Sequence, residues 1–256
     1  DRDRKQYTTA ATYFVDSSKG SHTFKIGAEL LKEQSWEGFQ QQFGGDIEHV
    51  YNNGRSNQVI FTLPTATKAG SLDAHDSLTS RAALDQIGLF LNDTWSLGRA
   101  TVNMGFRYDR YRGWLPEQQQ LGATTGPISV DAKTFQETEF YVFNQIAPRI
   151  GVTFDLTGDG RTVLKANYGL FWHNPGAGTA GSANPNIANK RATYGWNDLN
   201  GDRRWQSGEE TALQSIALEG AIGIDPDISD PYTHEASLWV ERQFSDTMGV
   251  RAGFVY

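Results

Sequence analysis

Along the chain, apolar and polar residues alternate with a period of two in paired stretches. From Ile146 to Leu156, Ile146, Pro148, Ile150, Val152, Phe154 and Leu156 share one side, and Ala147, Arg149, Gly151, Thr153 and Asp155 the other. Such alternation predicts a β-strand with one apolar and one polar face. After "TGDG" (Thr157 to Gly160), the run "RTVLKANYGLFW" repeats the pattern through Leu164, Ala166, Tyr168, Leu170 and Trp172, so the two stretches read as a hairpin. The same unit recurs in "LDQIGLFLNDTW" and "ATVNMGFRYDRY", joined by "SLGR", and in "THEASLWVERQF" and "MGVRAGFVY", joined by "SDT". A weaker copy opens the chain, "YTTAATYFV" turning at "DSSKG" into "HTFKIGAELL". Roughly eight strands are expected from this period.

The turns inside each pair are short, whereas the connections between pairs, at about 31–83, 113–145 and 174–231, are long. Loops of that length are unusual in a compact soluble domain. Outer-membrane barrels, by contrast, have short periplasmic turns at one end and long extracellular loops at the other. The predicted fold is therefore all-β, an antiparallel up-and-down transmembrane β-barrel of these strands. Trp95, Tyr108, Tyr111, Trp172 and Phe244 stand near strand ends, where they suit the interfacial aromatic girdles. The charged residues of the polar faces, Arg107, Asp109, Arg149, Asp155, Lys165, Glu235 and Glu241, would line the lumen. No run of about 18 apolar residues is present to form a transmembrane helix, a test that barrel strands of about 9–11 residues escape.

Composition narrows the function classes. A net charge of −7 with scattered cations argues against nucleic acid as a partner. The absence of cysteine excludes disulfides and thiolate metal sites.

Three segments resemble the barrel of TonB-dependent outer-membrane receptors, particularly the group with a carboxypeptidase-regulatory-like domain ahead of the plug. They are "IGLFLNDTWSLGRATVNMGFRYDRY", "APRIGVTFDLTGDGRTVLKANYGLFW" and "DPYTHEASLWVERQF". The landmarks are Phe90, Asp93 and Trp95, then Gly105 to Asp109, then Pro148, Arg149 and Gly151. The first 36 residues fit by pattern only. The resemblance implies a bacterial outer-membrane protein, in contact with outer-membrane lipid, taking part in TonB-energised uptake of a large or scarce solute. Plug, TonB box and signal peptide have no counterpart in these residues, so the chain reads as a barrel fragment. The TonB complex would be met through the plug of the parent.

No catalytic motif accompanies this pattern, and the expectation is a non-enzyme. His22, His49, His75, His173 and His234 are widely spaced and offer no zinc ligand set. "GAGTAGSANPN" (Gly176 to Asn186) lacks the strand and helix that phosphate binding requires and reads as a flexible loop. Glu235 and Glu241 are the carboxylate pair that a glycosidase would use.

One loop does carry metal-ligand spacing. In "WNDLNGDRRWQSGEE", Asp198, Asn200, Asp202 and Glu209 occupy the first, third, fifth and twelfth positions of a calcium loop, and Arg204 at the seventh would offer its backbone carbonyl. Trp205, at the eighth, is expected to pack inward. The pattern departs from the EF-hand at the sixth position, where Arg203 replaces the glycine of the sharp turn, and in having no flanking helices. The expected cofactor is Ca²⁺ in the 198–209 loop and nothing else. Loop tryptophans Trp114, Trp196 and Trp205, read as exposed, lean toward a glycan or oligomeric solute. Two alternatives compete with the receptor: a secreted carbohydrate-binding β-sandwich, and a small self-contained outer-membrane pore or adhesin.

Overall fold

The computed structural model describes residues 2–37, 46–63, 80–220 and 223–256. In chain order the strands are β1 Arg2–Ser17, β2 Gly20–Glu37, β3 Asp46–Asn52, β4 Arg55–Thr62, β5 Ser80–Leu97, β6 Ala100–Leu115, β7 Gln118–Gln120, β8 Ala123–Thr125, β9 Ile128–Val130, β10 Lys133–Phe135, β11 Thr138–Asp155 and β12 Thr162–Trp172. A short helix α1, Ala177–Gly181, is followed by β13 Arg191–Trp196, β14 Glu210–Ala217, β15 Tyr232–Ser245 and β16 Met248–Val255.

The predicted hairpins form one eight-stranded sheet in the order β1-β2-β5-β6-β11-β12-β15-β16. Every neighbouring pair is antiparallel. Among the described residues β1 and β16 do not pair with each other, so the sheet is open, as a segment of a barrel wall must be. The long strands outrun the sequence reading, with β2 continuing to Glu37, β6 to Leu115 and β11 starting at Thr138. The first two long connections therefore contract to 38–79 and 116–137, while the third, at 173–231, is nearly as read. Their apolar–polar alternation continues past the membrane-sized stretch, but with polar outer positions, which is why it escaped a hydrophobic reading.

The two faces of the sheet differ as a bilayer requires. On one, Ile26, Leu30, Leu89, Phe106, Ile150 and Leu238 are each 46–60% exposed, and the strand registers place them all on the same side. A soluble sandwich would bury such a band against a second sheet, so that alternative is excluded. At the short-turn end of this face the His22 ring stacks on Phe24 and Trp95 at centroid distances of 5.4 and 5.5 Å. The Trp95 indole N–H donates to the Lys19 carbonyl at 3.0 Å. Trp172 and Phe244 also lie on this face, as a girdle would place them. Tyr111 does not. It stands three residues from Tyr108, hence on the opposite side of a strand of period two, and is buried at 4% exposure.

The opposite face is polar and covered at its long-loop end. There α1 lays Ala177 and Ala180 against Leu31, Leu84, Tyr111, Leu115, Tyr141 and Phe143. Gly113 makes this packing possible, because a Cβ at that position would stand 2.1 Å from the Tyr141 ring. The segment expected to be a flexible loop is thus partly helical and packed.

The long connections also build a second sheet, of order β14-β13-β4-β3, in which hairpins from the first and third connections pair through β4 and β13. Its core is Val59, Phe61, Leu63, Ala192 and Trp196, joined by Ile128 from the second connection. Three separate loops therefore share one hydrophobic core.

Candidate functional site

Two regions carry the chemistry: the polar face of the eight-stranded sheet and the extracellular sheet above it. Strand alternation sends Glu29 of β2, Gln86 of β5, Arg107 and Asp109 of β6 and Gln145 of β11 to the same side. Arg107 donates to Asp109 at 2.6 and 2.7 Å and to Glu29 at 3.0 Å, while the Gln86 amide donates to Asp109 at 2.8 Å. Asp109 and Gln86 are buried, so each charge is met by a partner rather than by water. Lower on this face, Asn92, Gly105, Arg149, Gly169 and Glu235 form one cross-strand row. Together with Asn103, Asn167 and Phe171 they line a depression of about 360 Å³. The Arg149 guanidinium lies over the Phe171 ring at 4.6 Å. Lys165 pairs with Glu241 at 2.7 Å, and Arg251 stands 3.4 Å from the same carboxylate. Arg107, Asp109, Arg149, Lys165, Glu235 and Glu241 thus occupy the face assigned to them from sequence.

Such a surface offers hydrogen bonds and paired charges to a polar solute but no assembled acid–base couple. Glu235 and Glu241 lie six residues apart on β15, about 20 Å along the strand at roughly 3.4 Å per residue. Glycosidases need their carboxylates within about 5–9.5 Å. The geometry does not suit that chemistry.

Sequence reasoning missed the groups that tie the cover down. Glu33, buried on the polar face, accepts the Ala177 N–H of α1 at 3.1 Å. Gln145 donates to the His173 carbonyl at 3.1 Å and to the Asp230 carboxylate. Burial pushes the Asp230 carboxyl above the usual range, opposed by His173 and Gln145. Asn184 donates to the Ser80 hydroxyl, the Arg81 carbonyl and the Gln118 side chain, each at 3.0 Å, linking the third long connection to the start of β5 and to the second connection. Lys190 is buried and donates to the Asn186 side chain at 2.8 Å and the Ile187 carbonyl at 2.7 Å. No hydropathy pattern marks such residues, since polar groups in a loop ordinarily read as solvated.

The 198–209 loop joins β13 to β14 at the edge of the extracellular sheet. Asp198 accepts the Gly201 N–H at 2.8 Å and the Arg203 N–H at 3.0 Å, Asn200 accepts that of Asp202 at 3.0 Å, and Asp202 that of Arg204 at 2.8 Å. The Arg204 backbone bond, with help from Asn200 and Gln206, holds the Asp202 carboxyl below its usual range. Glu209 is buried and accepts the N–H groups of Leu199 and Gln206, both at 3.0 Å. Arg203 adopts φ +61°, the left-handed turn that the sixth position demands and that glycine takes at least cost. Trp205 packs inward on Phe61 at 4.7 Å. Among the described residues no three His, Cys, Asp or Glu side chains converge on a point able to hold a metal. Trp196, expected to be exposed, is 1% exposed within the core, and Trp114 is on the outer face of β6. Neither ring stands on an exposed loop, so these two lend no support to a glycan solute. His75 lies outside the described residues.

An open antiparallel sheet with one apolar, exposed face and one polar, covered face is a piece of an outer-membrane barrel wall. The chain belongs to the outer membrane beta barrel domain family, whose model matches residues 2–255, including the opening residues that fitted by pattern alone. It is 28% identical over 184 residues, 66% of its length, to the TonB-dependent transporter Oar of Myxococcus xanthus. It spans 15% of that protein's length. The bacterial outer membrane is the location, and a segment of an outer-membrane barrel is the class.

Proposed function

We propose that the chain forms one side of a TonB-energised importer for a large or scarce solute. The polar face would line the solute path, and α1 with the extracellular sheet would cover its entrance. The observation that carries this reading is the roofing of the polar face by α1, tied through Glu33, at the end opposite the short turns. A passive pore would leave that mouth open, and an adhesin would not need paired charges beneath it. The similarity to a protein named a TonB-dependent transporter supports energisation, and the TonB complex would be engaged through a plug. Siderophore, glycan and peptide solutes are equally compatible with the mixed amides and charges.

Uptake in the natural host tests the reading. A solute whose entry is lost on disruption of this gene should also stop entering when TonB is deleted or a protonophore is added. Continued entry at the same rate without TonB would sink energisation and favour the passive pore.

A second reading concerns the 198–209 loop, which we propose binds calcium. Its support is the Arg203 turn, which supplies the backbone geometry whose absence from the sequence pattern counted against it. Asp202 Oδ2 and Glu209 Oε2 already accept two N–H groups, whereas both Asp198 oxygens, Asn200 Oδ1, Asp202 Oδ1 and Glu209 Oε1 each accept one and retain a lone pair. These oxygens and the Arg204 carbonyl are the hard donors that calcium prefers.

A further inference from the structure

On the lipid-facing side, the apolar band ends abruptly at the long-loop end. Tyr7, Leu30 and Ile87 form its last row across β1, β2 and β5. The next row is Lys5, Lys32, Asp85 and Arg112. Lys5 and Lys32 are direct cross-strand partners, an arrangement that is unfavourable without a counter-charge. Among the described residues neither makes an ion pair. The carboxylate opposite Lys32 does not neutralise it, because Asp85 accepts the Trp114 indole N–H at 3.0 Å and lies 3.6 Å from Arg112. Arg112 is itself engaged by Glu139 at 2.6 Å and Glu137 at 2.9 Å. Both lysines, with Gln34, Trp114 and the carboxylates Asp3, Glu33 and Asp85, line an outward pocket of about 360 Å³; among the described residues Asp3 also makes no ion pair, so it does not neutralise either lysine by contact. Arg110, on the same outer face beside Ile87, likewise makes no ion pair among the described residues.

A solvated charged rim needs neither a pocket nor two unneutralised ammonium groups set face to face. Their level matters as well. The long connections mark the extracellular end, so this row stands one step beyond the hydrocarbon, among the headgroups of the outer leaflet. Lysine stems would run along Tyr7 and Leu30 while the ammonium groups reach the interface. We propose that Lys5 and Lys32 bind the phosphate of a phosphorylated glycolipid headgroup in the outer leaflet, with Arg110, two strands beyond Lys32 and one row nearer the apolar band, adding positive charge to the same outer face. Phosphate supplies the missing counter-charge, the sugar fills the pocket against Trp114, and the acyl chains lie on the apolar band below.

The test uses the natural polypeptide carrying these residues, embedded in phospholipid nanodiscs doped with bisphosphorylated lipid A or its dephosphorylated form, with lipid retention read by native mass spectrometry. Each lysine near an anionic lipid surface should contribute roughly fivefold, so Lys5→Gln with Lys32→Gln should cut lipid A retention about thirtyfold. Lys5→Arg with Lys32→Arg should restore it, and Lys25→Gln on the opposite face should change nothing. Equal retention by the glutamine variant overturns the proposal. So does equal retention of dephosphorylated lipid A by the unmodified protein, a result that does not depend on any variant assembling. Displacement of lipid A by millimolar inorganic phosphate would show a free-phosphate site and overturn the lipid assignment. The outcome of the transport test does not bear on these results.

Discussion

If three long connections share one hydrophobic core, removing its central side chain should open all of them while leaving the barrel wall intact. Trp196 is the side chain to remove. It is 1% exposed, meets His49 and Tyr51 edge-on at 5.0 and 5.3 Å, and donates its indole N–H to Glu209 at 3.3 Å. Truncating a buried tryptophan to alanine costs about 3–5 kcal/mol. That loss falls on the local opening of the extracellular sheet, so the open population should rise roughly 10²–10⁴-fold. Trypsin added to intact cells reads this directly at Lys190, which is 3% exposed and therefore shielded in the closed state. When reclosing outpaces cleavage, the rate follows the open population. Cleavage after Lys190 should accelerate strongly in Trp196→Ala and stay unchanged in Leu199→Ala, whose side chain is 76% exposed. Heat-modifiable gel migration should be the same in all three proteins. Unchanged cleavage in Trp196→Ala would refute the shared core, and a barrel that loses heat-modifiability with it would refute the independence of the two sheets.

Membrane placement predicts that Leu238→Lys, at a position 49% exposed on the apolar face, costs about 2–4 kcal/mol near the midplane and hinders assembly into outer-membrane fractions. Lys165→Leu on the opposite face should be mild, since Glu241 keeps Arg251; equal sensitivity on both faces would count against the barrel. Calcium binding predicts that millimolar calcium slows proteolysis within the 198–209 loop and that Asp198→Ala or Glu209→Ala abolishes this protection; calorimetry showing no binding up to about ten millimolar would end the idea. Burial lowers the Lys190 ammonium to about 8 from its ordinary 10.5. Between those values the unfolded loop holds a proton that the folded loop has shed, so stability should rise with pH across that window. The rise should be absent from Lys190→Met when tryptic cleavage at Arg191 is followed against pH.

The barrel wall was legible because two independent regularities agree. Period two fixes which residues share a face, and the alternation of short turns with long connections fixes the up-and-down order. Closeness to a strand end does not fix a face: Tyr111 stands near a strand end as Tyr108 does, yet the odd spacing between them puts Tyr111 on the inner side. The extracellular sheet was less legible, since "NQVIFTL" and "RATYGW" alternate too briefly to rank beside strands of the wall. Their pairing joins residues more than a hundred positions apart, and no local pattern encodes such contacts. Trp196 illustrates the consequence, because a tryptophan in a polar loop looks exposed until the partner strand that buries it is known.

The 198–209 loop shows how far spacing alone can reach. The one-three-five-twelve order of oxygens is legible because side-chain identity sets it, while Arg203 at the sixth position departs from the glycine that the turn favours. In the fold Arg203 takes φ +61° regardless, with its N–H on Asp198 and its carbonyl accepting the Tyr51 hydroxyl at 2.8 Å. A non-glycine residue held there carries strain of order 1–2 kcal/mol, which these two contacts offset. Tyr51 comes from the hairpin of another connection, so the turn is imposed by tertiary structure and not by the loop's own residues. Arg203→Gly should therefore relieve strain and tighten calcium binding, whereas Tyr51→Phe should weaken it by removing a contact that no sequence window contains. If Tyr51→Phe leaves calcium affinity unchanged in calorimetry, the turn is held locally and the tertiary account of it is wrong.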